Sequence, residues 1–184
     1  MKPKIVIVGA GGHAKIVCDL ILQLNTYELV GFVDIAINAH SNQPLDANFY
    51  LDYKIIATQN SLSELENKCE FFIVAIGDNI KRKLYFIELG EILKPVSLIH
   101  PTAIISTSAK IGIGTVVLAN SIVNSNSVIN ENCIINSNVV IDNDCNIDSH
   151  VYLKMGTLVG NNSHIQQQFT SEMGQTILPF SKLG

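Results

Sequence analysis

Residues 129–147 read INENCIINSNVVIDNDCNI, with an aliphatic side chain at Ile129, Ile135, Ile141 and Ile147. The spacing of six extends outward in both directions. It runs through Ile105, Ile111, Val117, Val123, Ile129, Ile135, Ile141, Ile147, Leu153, Val159 and Ile165, eleven consecutive positions without a slip. Four residues after each aliphatic comes a second, mostly small, side chain: Ala109, Thr115, Ser121, Ser127, Cys133, Val139, Cys145, Val151, Thr157 and Ser163. Three residues after each comes Ser108, Gly114, Asn120, Asn126, Asn132, Asn138, Asp144, His150, Gly156 or Asn162. Gly, Asn, Asp and His are the types that tolerate positive φ. Each six-residue unit therefore predicts a short strand, a small inward residue and a left-handed corner. This is the hexapeptide pattern of a parallel β-helix. Stacked coils bury the aliphatic column and pair their backbones from coil to coil. The repeat specifies a scaffold, not a reaction. The aliphatic column is interrupted at Ser171 and resumes at Ile177 and Leu183.

The first hundred residues follow a different grammar. Lys4–Val8 is a short apolar run ending at Gly9-Ala10-Gly11-Gly12. Ala14–Leu24 has helical spacing, with Ile16, Val17, Leu20, Ile21 and Leu24 on one side. Leu29–Val33, Tyr53–Ile56, Phe71–Ile76 and Val96–Ile99 read as strands, and Ile80–Leu89 as a helix with a basic face whose Lys81 and Arg82 are solvated or meet a pyrophosphate, the solvated face being the first expectation. Ser61 and Glu64 fit a capping box opening a short helix over Leu62–Lys68. His40–Phe49 is polar and reads as a loop. Apolar strands alternating with helices imply a parallel sheet covered on both faces. The expected architecture is a Rossmann-like α/β domain over residues 1–99, then a parallel β-helix over 100–184, left-handed by family resemblance.

Composition narrows the function classes. Of 184 residues, 47% are hydrophobic and 15% charged, which excludes a disordered linker. Net charge is −4 and no basic stripe exists, so nucleic acid and anionic membrane are poor partners. The apolar runs fall far short of a bilayer span. The sequence runs straight into a strand with no leader pattern, and its four cysteines form no CxxC pair. A cytoplasmic protein with reduced, packed thiols is expected. The histidines are scattered, so no metal is expected.

The order of these features resembles one family across essentially the whole chain. Its marks are Val8-Gly9-Ala10-Gly11-Gly12-His13, Gly31-Phe32-Val33-Asp34, Ala75-Ile76-Gly77-Asp78-Asn79 with Arg82, and Ile99-His100-Pro101. Further marks are Cys133-Ile134-Ile135-Asn136 and Ile141-Asp142-Asn143-Asp144-Cys145. The chain resembles the hexapeptide sugar-nucleotide acetyltransferases typified by UDP-N-acetylbacillosamine N-acetyltransferase and sialic acid O-acetyltransferase. That resemblance implies a homotrimer, acetyl-coenzyme A as acyl donor, and a UDP-sugar or sialic-acid-like sugar as acceptor in surface glycan synthesis. It places the sugar nucleotide at Gly11, Gly12, His13, Asp34, Gly77 and Asn79, and the coenzyme along Tyr152, Gly156, Gly160 and Asn161. Small residues in the turn let backbone N–H groups reach a phosphate at a helix N-terminus. Asp34 can accept from a ribose or base, or serve as a turn or cap residue. The sequence given ends at Gly184, before a final coil that helps family members enclose the coenzyme.

One departure bears on chemistry. The family takes the acceptor's proton on a histidine oriented by a carboxylate, with backbone N–H groups stabilising the oxyanion. The matching positions here are Asn143 and Asp144, and a second family histidine falls on Tyr152. Asparagine takes no proton near neutral pH. His150 and His164 are nearby substitutes, or a corner and a solvent-facing histidine. Two readings therefore stand: an active acetyltransferase, and a sugar-nucleotide-binding homologue that has lost its general base. A third, an NAD-dependent oxidoreductase, draws on the glycine turn and Asp34. The turn is GxGGH, however, not GxGxxG, and the α/β part is short for a dinucleotide fold.

Overall fold

A computed structural model describes residues 1–35 and 48–184. The chain forms two compact units: Met1–Ile76 with Leu84–Val96, and Gly77–Lys83 with Ser97–Gly184.

Among the described residues the first unit contains a six-stranded sheet. Its strands are β1 (Lys4–Val8), β2 (Glu28–Asp34), β3 (Asn48–Tyr50), β4 (Tyr53–Thr58), β5 (Phe71–Val74) and β6 (Lys94–Pro95), in the order β3-β4-β2-β1-β5-β6. All pairs are parallel except β3 with β4. Ile5, Val6, Ile7 and Val8 of central β1 are fully buried, as a parallel strand covered on both faces requires. The helix α1 (Gly12–Leu24) packs through Ala14, Val17, Cys18, Leu20 and Ile21, and Ile16 is exposed. It ends at Asn25, whose left-handed conformation lets its N–H reach Ile21 O.

Three expectations change. Asn48 and Phe49 belong to β3, and the rest of the expected loop, 40–47, lies outside the described residues. The cap over 58–67 uses Thr58 and Ser61, not Ser61 and Glu64, because Ser61 Oγ takes the Thr58 N–H at 3.0 Å and the segment winds as a 3₁₀ helix. Glu64 instead faces Lys68 at 3.6 Å on the surface. The expected strand Val96–Ile99 divides: β6 precedes it and pairs with β5, whereas Leu98–Ile99 pairs with Val116–Val117 of the next unit's own sheet.

The second unit is a left-handed parallel β-helix preceded by the first turns of α2 (Asn79–Gly90). Two-residue strands stack into three parallel sheets at a register of one 18-residue coil, as in Val116↔Ile134 and Ile134↔Tyr152. The column from Val117 to Ile165 that contains Val123, Ile129, Ile135, Ile141, Ile147, Leu153 and Val159 is buried. The corners behave as the residue types demand. Asn120, Asn126, Asn132, Asn138, Asp144, His150, Asn162, Gly114 and Gly156 all have positive φ, and Ser108 does not.

The small inward residues do more than fill space. Ser121 Oγ donates to Asn136 O at 2.7 Å, Ser127 Oγ to Asp142 O at 2.5 Å, and Cys145 Sγ approaches Gly160 O at 3.3 Å. Thr115 Oγ1 and Ser127 Oγ also accept the N–H groups of Cys133 and Cys145 one coil on. Each short hydroxyl or thiol thus gives a backbone group near a corner a side-chain partner. Burial pushes the Cys133 thiol up to about 12, so it packs rather than reacts.

Candidate functional site

In the first unit the glycine-rich turn follows β1. Gly9 has φ 117, and a Cβ there would lie 2.8 Å from Ala75 O. Only glycine fits this approach. Its N–H donates to Val33 O at 2.9 Å, which ties the turn to the end of β2. Gly11 caps α1 without a side chain, and Gly12 and His13 form its first turn. A Cβ added at Gly11 or Gly12 meets nothing within 4 Å, so the backbone is open there. The first N–H groups of a helix lack intrahelical partners and favour an anion. Asp34 ends β2, which pairs with β1 through Val8↔Val33. The structure therefore brings Gly11, Gly12, His13 and Asp34 to one carboxyl edge of the sheet.

Gly77 and Asn79 fall in the second unit, where the start of α2 is stitched to a stack of corners one coil apart. Asn79 is 8% exposed, and its Nδ2 donates to Gln168 O at 2.5 Å, Thr170 Oγ1 at 2.8 Å and Phe169 O at 3.1 Å. Arg82 is 1% exposed, which corrects the expected solvated helix face. Its Nε donates to Asn132 O at 3.0 Å, and its Nη2 to His150 O at 2.6 Å and Asn79 Oδ1 at 2.5 Å. The physical reason is the left-handed corner, which turns its carbonyl out of the coil-to-coil ladder. A forked, permanently charged donor satisfies two such oxygens together. Burial lowers the Arg82 pKa to about 10, opposed by Cys133, Tyr152 and Asp78.

His150 is a corner, as expected, but buried rather than solvent-facing, at 2% exposure. Its Nδ1 lies 2.9 Å from Asn132 Nδ2. Burial lowers its pKa to about 4, reinforced by Lys83 and Arg82, so the ring is neutral at pH 7. Gly77 lies beside Tyr152, since a Cβ there would be 3.7 Å from Tyr152 Cε1, and the Tyr152 hydroxyl accepts from Asn136 Nδ2 at 3.1 Å.

Asn143 and Asp144 occupy a different corner column. Asn143 Nδ2 donates to Asp144 Oδ2 at 2.6 Å, and Asn126 Nδ2 donates to Asp144 Oδ1 at 3.1 Å. These two donors hold the exposed Asp144 carboxyl below its usual range. Of the residues expected along the coenzyme, Gly156 is a corner with φ 73, and Gly160 lies against Pro179, whose nitrogen would be 2.5 Å from an added Cβ. Asn161 O accepts the Phe180 N–H at 2.9 Å. Among the described residues no group of three His, Cys, Asp or Glu side chains is placed to hold a metal, and no helix is long and apolar enough to cross a membrane.

Residues that sequence reasoning missed are Arg82 as a buried clasp, its partner Asn132, and Thr170. Two signals were present: Asn79 and Arg82 are three apart on one helical face, and Asn132, His150 and Gln168 recur at 18.

Comparison with known proteins places these features. Residues 4–89 match the PglD N-terminal domain. No curated protein gives a significant match. A histidine-to-asparagine variant of perosamine N-acetyltransferase from Caulobacter crescentus, in complex with CoA and GDP-perosamine, is 26% identical. The match covers 97% of this chain and 81% of that one, with a TM-score of 0.86. The acetyltransferase domain of PglB from Neisseria gonorrhoeae, in complex with acetyl coenzyme A, is 30% identical over 99% of this chain and 88% of its own, with a TM-score of 0.69. The chain belongs to the sugar-nucleotide acetyltransferase family.

Proposed function

We propose that the protein transfers an acetyl group from acetyl-CoA to an amino or hydroxyl group of a nucleotide-activated or sialic-acid-like sugar, in surface glycan synthesis. One observation carries this: a likeness over 97% of the chain to an N-acetyltransferase structure holding both CoA and a sugar nucleotide. Residues 1–99 would bind the sugar nucleotide and 100–184 would carry the acyltransferase part. Gly11, Gly12 and His13 offer backbone donors to a diphosphate, and Asp34 an acceptor at the same edge. Gly77 and Asn79 present the segment that reaches the Tyr152 side chain. Tyr152, Gly156, Gly160 and Asn161 line the coenzyme, and Asn143 with Asp144 orients the acceptor. The reading includes a cytoplasmic homotrimer. In its support, Ile104, Ile122, Val140 and Leu158 stack outward on one sheet, with Ile104 and Leu158 exposed. Apolar columns of this kind fit self-association.

A second reading is a sugar-nucleotide-binding homologue with an impaired active site. It rests on Asn143, whose carboxamide donates to Asp144 and takes no proton. The relative's histidine-to-asparagine variant still holds CoA and GDP-perosamine, so binding in this fold survives one such change. Coenzyme A release from acetyl-CoA, measured over UDP- and GDP-linked amino sugars and sialic acids, separates the two. Acceptor-dependent release supports transfer, and binding of both ligands without release supports the second reading.

A further inference from the structure

We propose that His164, held by Asp148, is the proton acceptor for acetyl transfer, a role that rests on the acetyltransferase reading above. His164 Nε2 lies 2.9 Å from Asp148 Oδ2. The other carboxylate oxygen, Oδ1, accepts from Asn146 Nδ2 at 3.0 Å, and Asn146 Oδ1 accepts from Asn130 Nδ2 at 3.3 Å. Asn130 is itself anchored to Ile147 O at 3.0 Å. A run of side-chain amides thus fixes the carboxylate, and the carboxylate fixes the ring. Donating Nε2–H to Asp148 leaves the Nδ1 lone pair as the basic site. This is the base-and-orienter arrangement that proton transfer needs.

Its position suits the task. The two side chains are 38% and 30% exposed, so the pair is open to a ligand and not locked in a core. His164 lies three residues beyond Asn161 and pairs in register with Asn146. The Asn162 N–H donates to Asn143 O at 3.1 Å, which links the corner before His164 to the corner where the resembled family carries its histidine. Asp148 faces the ring, and Asn146 and Lys182 flank His164 in the same sheet. The other histidines of this unit are differently placed. His150 is buried with Nδ1 on Asn132, and His100 Nδ1 is engaged by Thr102.

The acceptor nitrogen or oxygen attacks the thioester carbonyl carbon of acetyl-CoA, forming the C–N or C–O bond. His164 Nδ1 takes the proton from the attacking atom. The C–S bond breaks as the tetrahedral intermediate collapses, and the imidazolium returns the proton to the departing thiolate. Products are the acetylated sugar and coenzyme A, with His164 neutral again.

The test is steady-state coenzyme A release by the full chain with its best acceptor. His164→Gln is expected to lower kcat about 10²–10⁴-fold with KM little changed, and Asp148→Asn to lower it by a smaller factor. His164→Ala is expected to regain turnover with added imidazole. Thermal melting and acetyl-CoA binding confirm that each variant folds, and Asp148→Asn carries the test should the His164 variants unfold. A kcat for His164→Gln within twofold of wild type overturns the proposal and leaves acetyl transfer standing. Absence of wild-type turnover with every acceptor, with both ligands bound, overturns the acetyltransferase reading and this role with it.

Discussion

Arg82 Nη2 donates to His150 O at 2.6 Å, and through that contact a helix-borne guanidinium closes the backbone of a β-helix corner. Arg82 Nε serves the corner one coil earlier, at Asn132. Replacing Arg82 by Met leaves both buried carbonyls without this donor. An unsatisfied buried acceptor costs about 1–3 kcal/mol, partly offset by removing a desolvated charge. The expected net loss is about 2–4 kcal/mol, a fall in melting temperature of roughly 5–15 °C. Calorimetry on Arg82→Met checks this, and an unchanged transition would show the clasp to be ornamental.

His150 makes stability depend on pH. Its folded pKa of about 4 lies below its ordinary 6.5, so between those values the unfolded chain binds more protons. Stability is therefore full above pH 6.5 and falls as pH drops toward 4, by about 3 kcal/mol from this residue. His150→Asn keeps a residue suited to positive φ and removes the titration. Denaturant unfolding across pH 4–7 is expected to show a shallower slope for the variant; an identical slope contradicts the assignment.

How much of this was legible beforehand follows from which forces are local. The six-residue period exposed the β-helix because every coil repeats one demand, an inward aliphatic and a corner tolerant of positive φ. The turn at Gly9 was equally plain. Arg82 was misread because helical periodicity places it beside Lys81 on a polar face, and nothing local says that corner carbonyls lie against it. The division at Val96–Ile99 was missed because three apolar residues around Ser97 carry no mark of which sheet will pair with them. His164 was legible as a substitute for the missing histidine but not as one half of a pair; its partner Asp148 is 16 residues away, and only the coil register brings the two side chains together.

The glycine turn offers a contrast between fold and function. Gly9→Ala is expected to destabilise by about 1–3 kcal/mol, because its Cβ meets the Ala75 carbonyl and its φ is strained. Gly12→Ala meets nothing and joins a helix, so melting should be unchanged or slightly raised. It does place a methyl where the diphosphate would approach. Sugar-nucleotide affinity for Gly12→Ala, measured by calorimetry, is expected to fall about tenfold, roughly 1.4 kcal/mol. Unchanged affinity would move the diphosphate away from this turn.

Self-association is expected to depend on the outward apolar column. Charged substitution at its two exposed members, Ile104→Glu with Leu158→Glu, should convert the proposed homotrimer to monomers in light scattering without lowering the first melting transition. A variant that remains trimeric would place the interface on another face.

The central claim, acetyl transfer to a sugar nucleotide, is met most directly by following coenzyme A release and acetylated sugar together in one reaction. The wild-type chain, given acetyl-CoA and a nucleotide-linked amino sugar, should release one coenzyme A per sugar acetylated, and release should stop without the acceptor. If both ligands bind at the concentrations used and no acetylated sugar forms with any acceptor, the protein is a binding homologue and not an acetyltransferase.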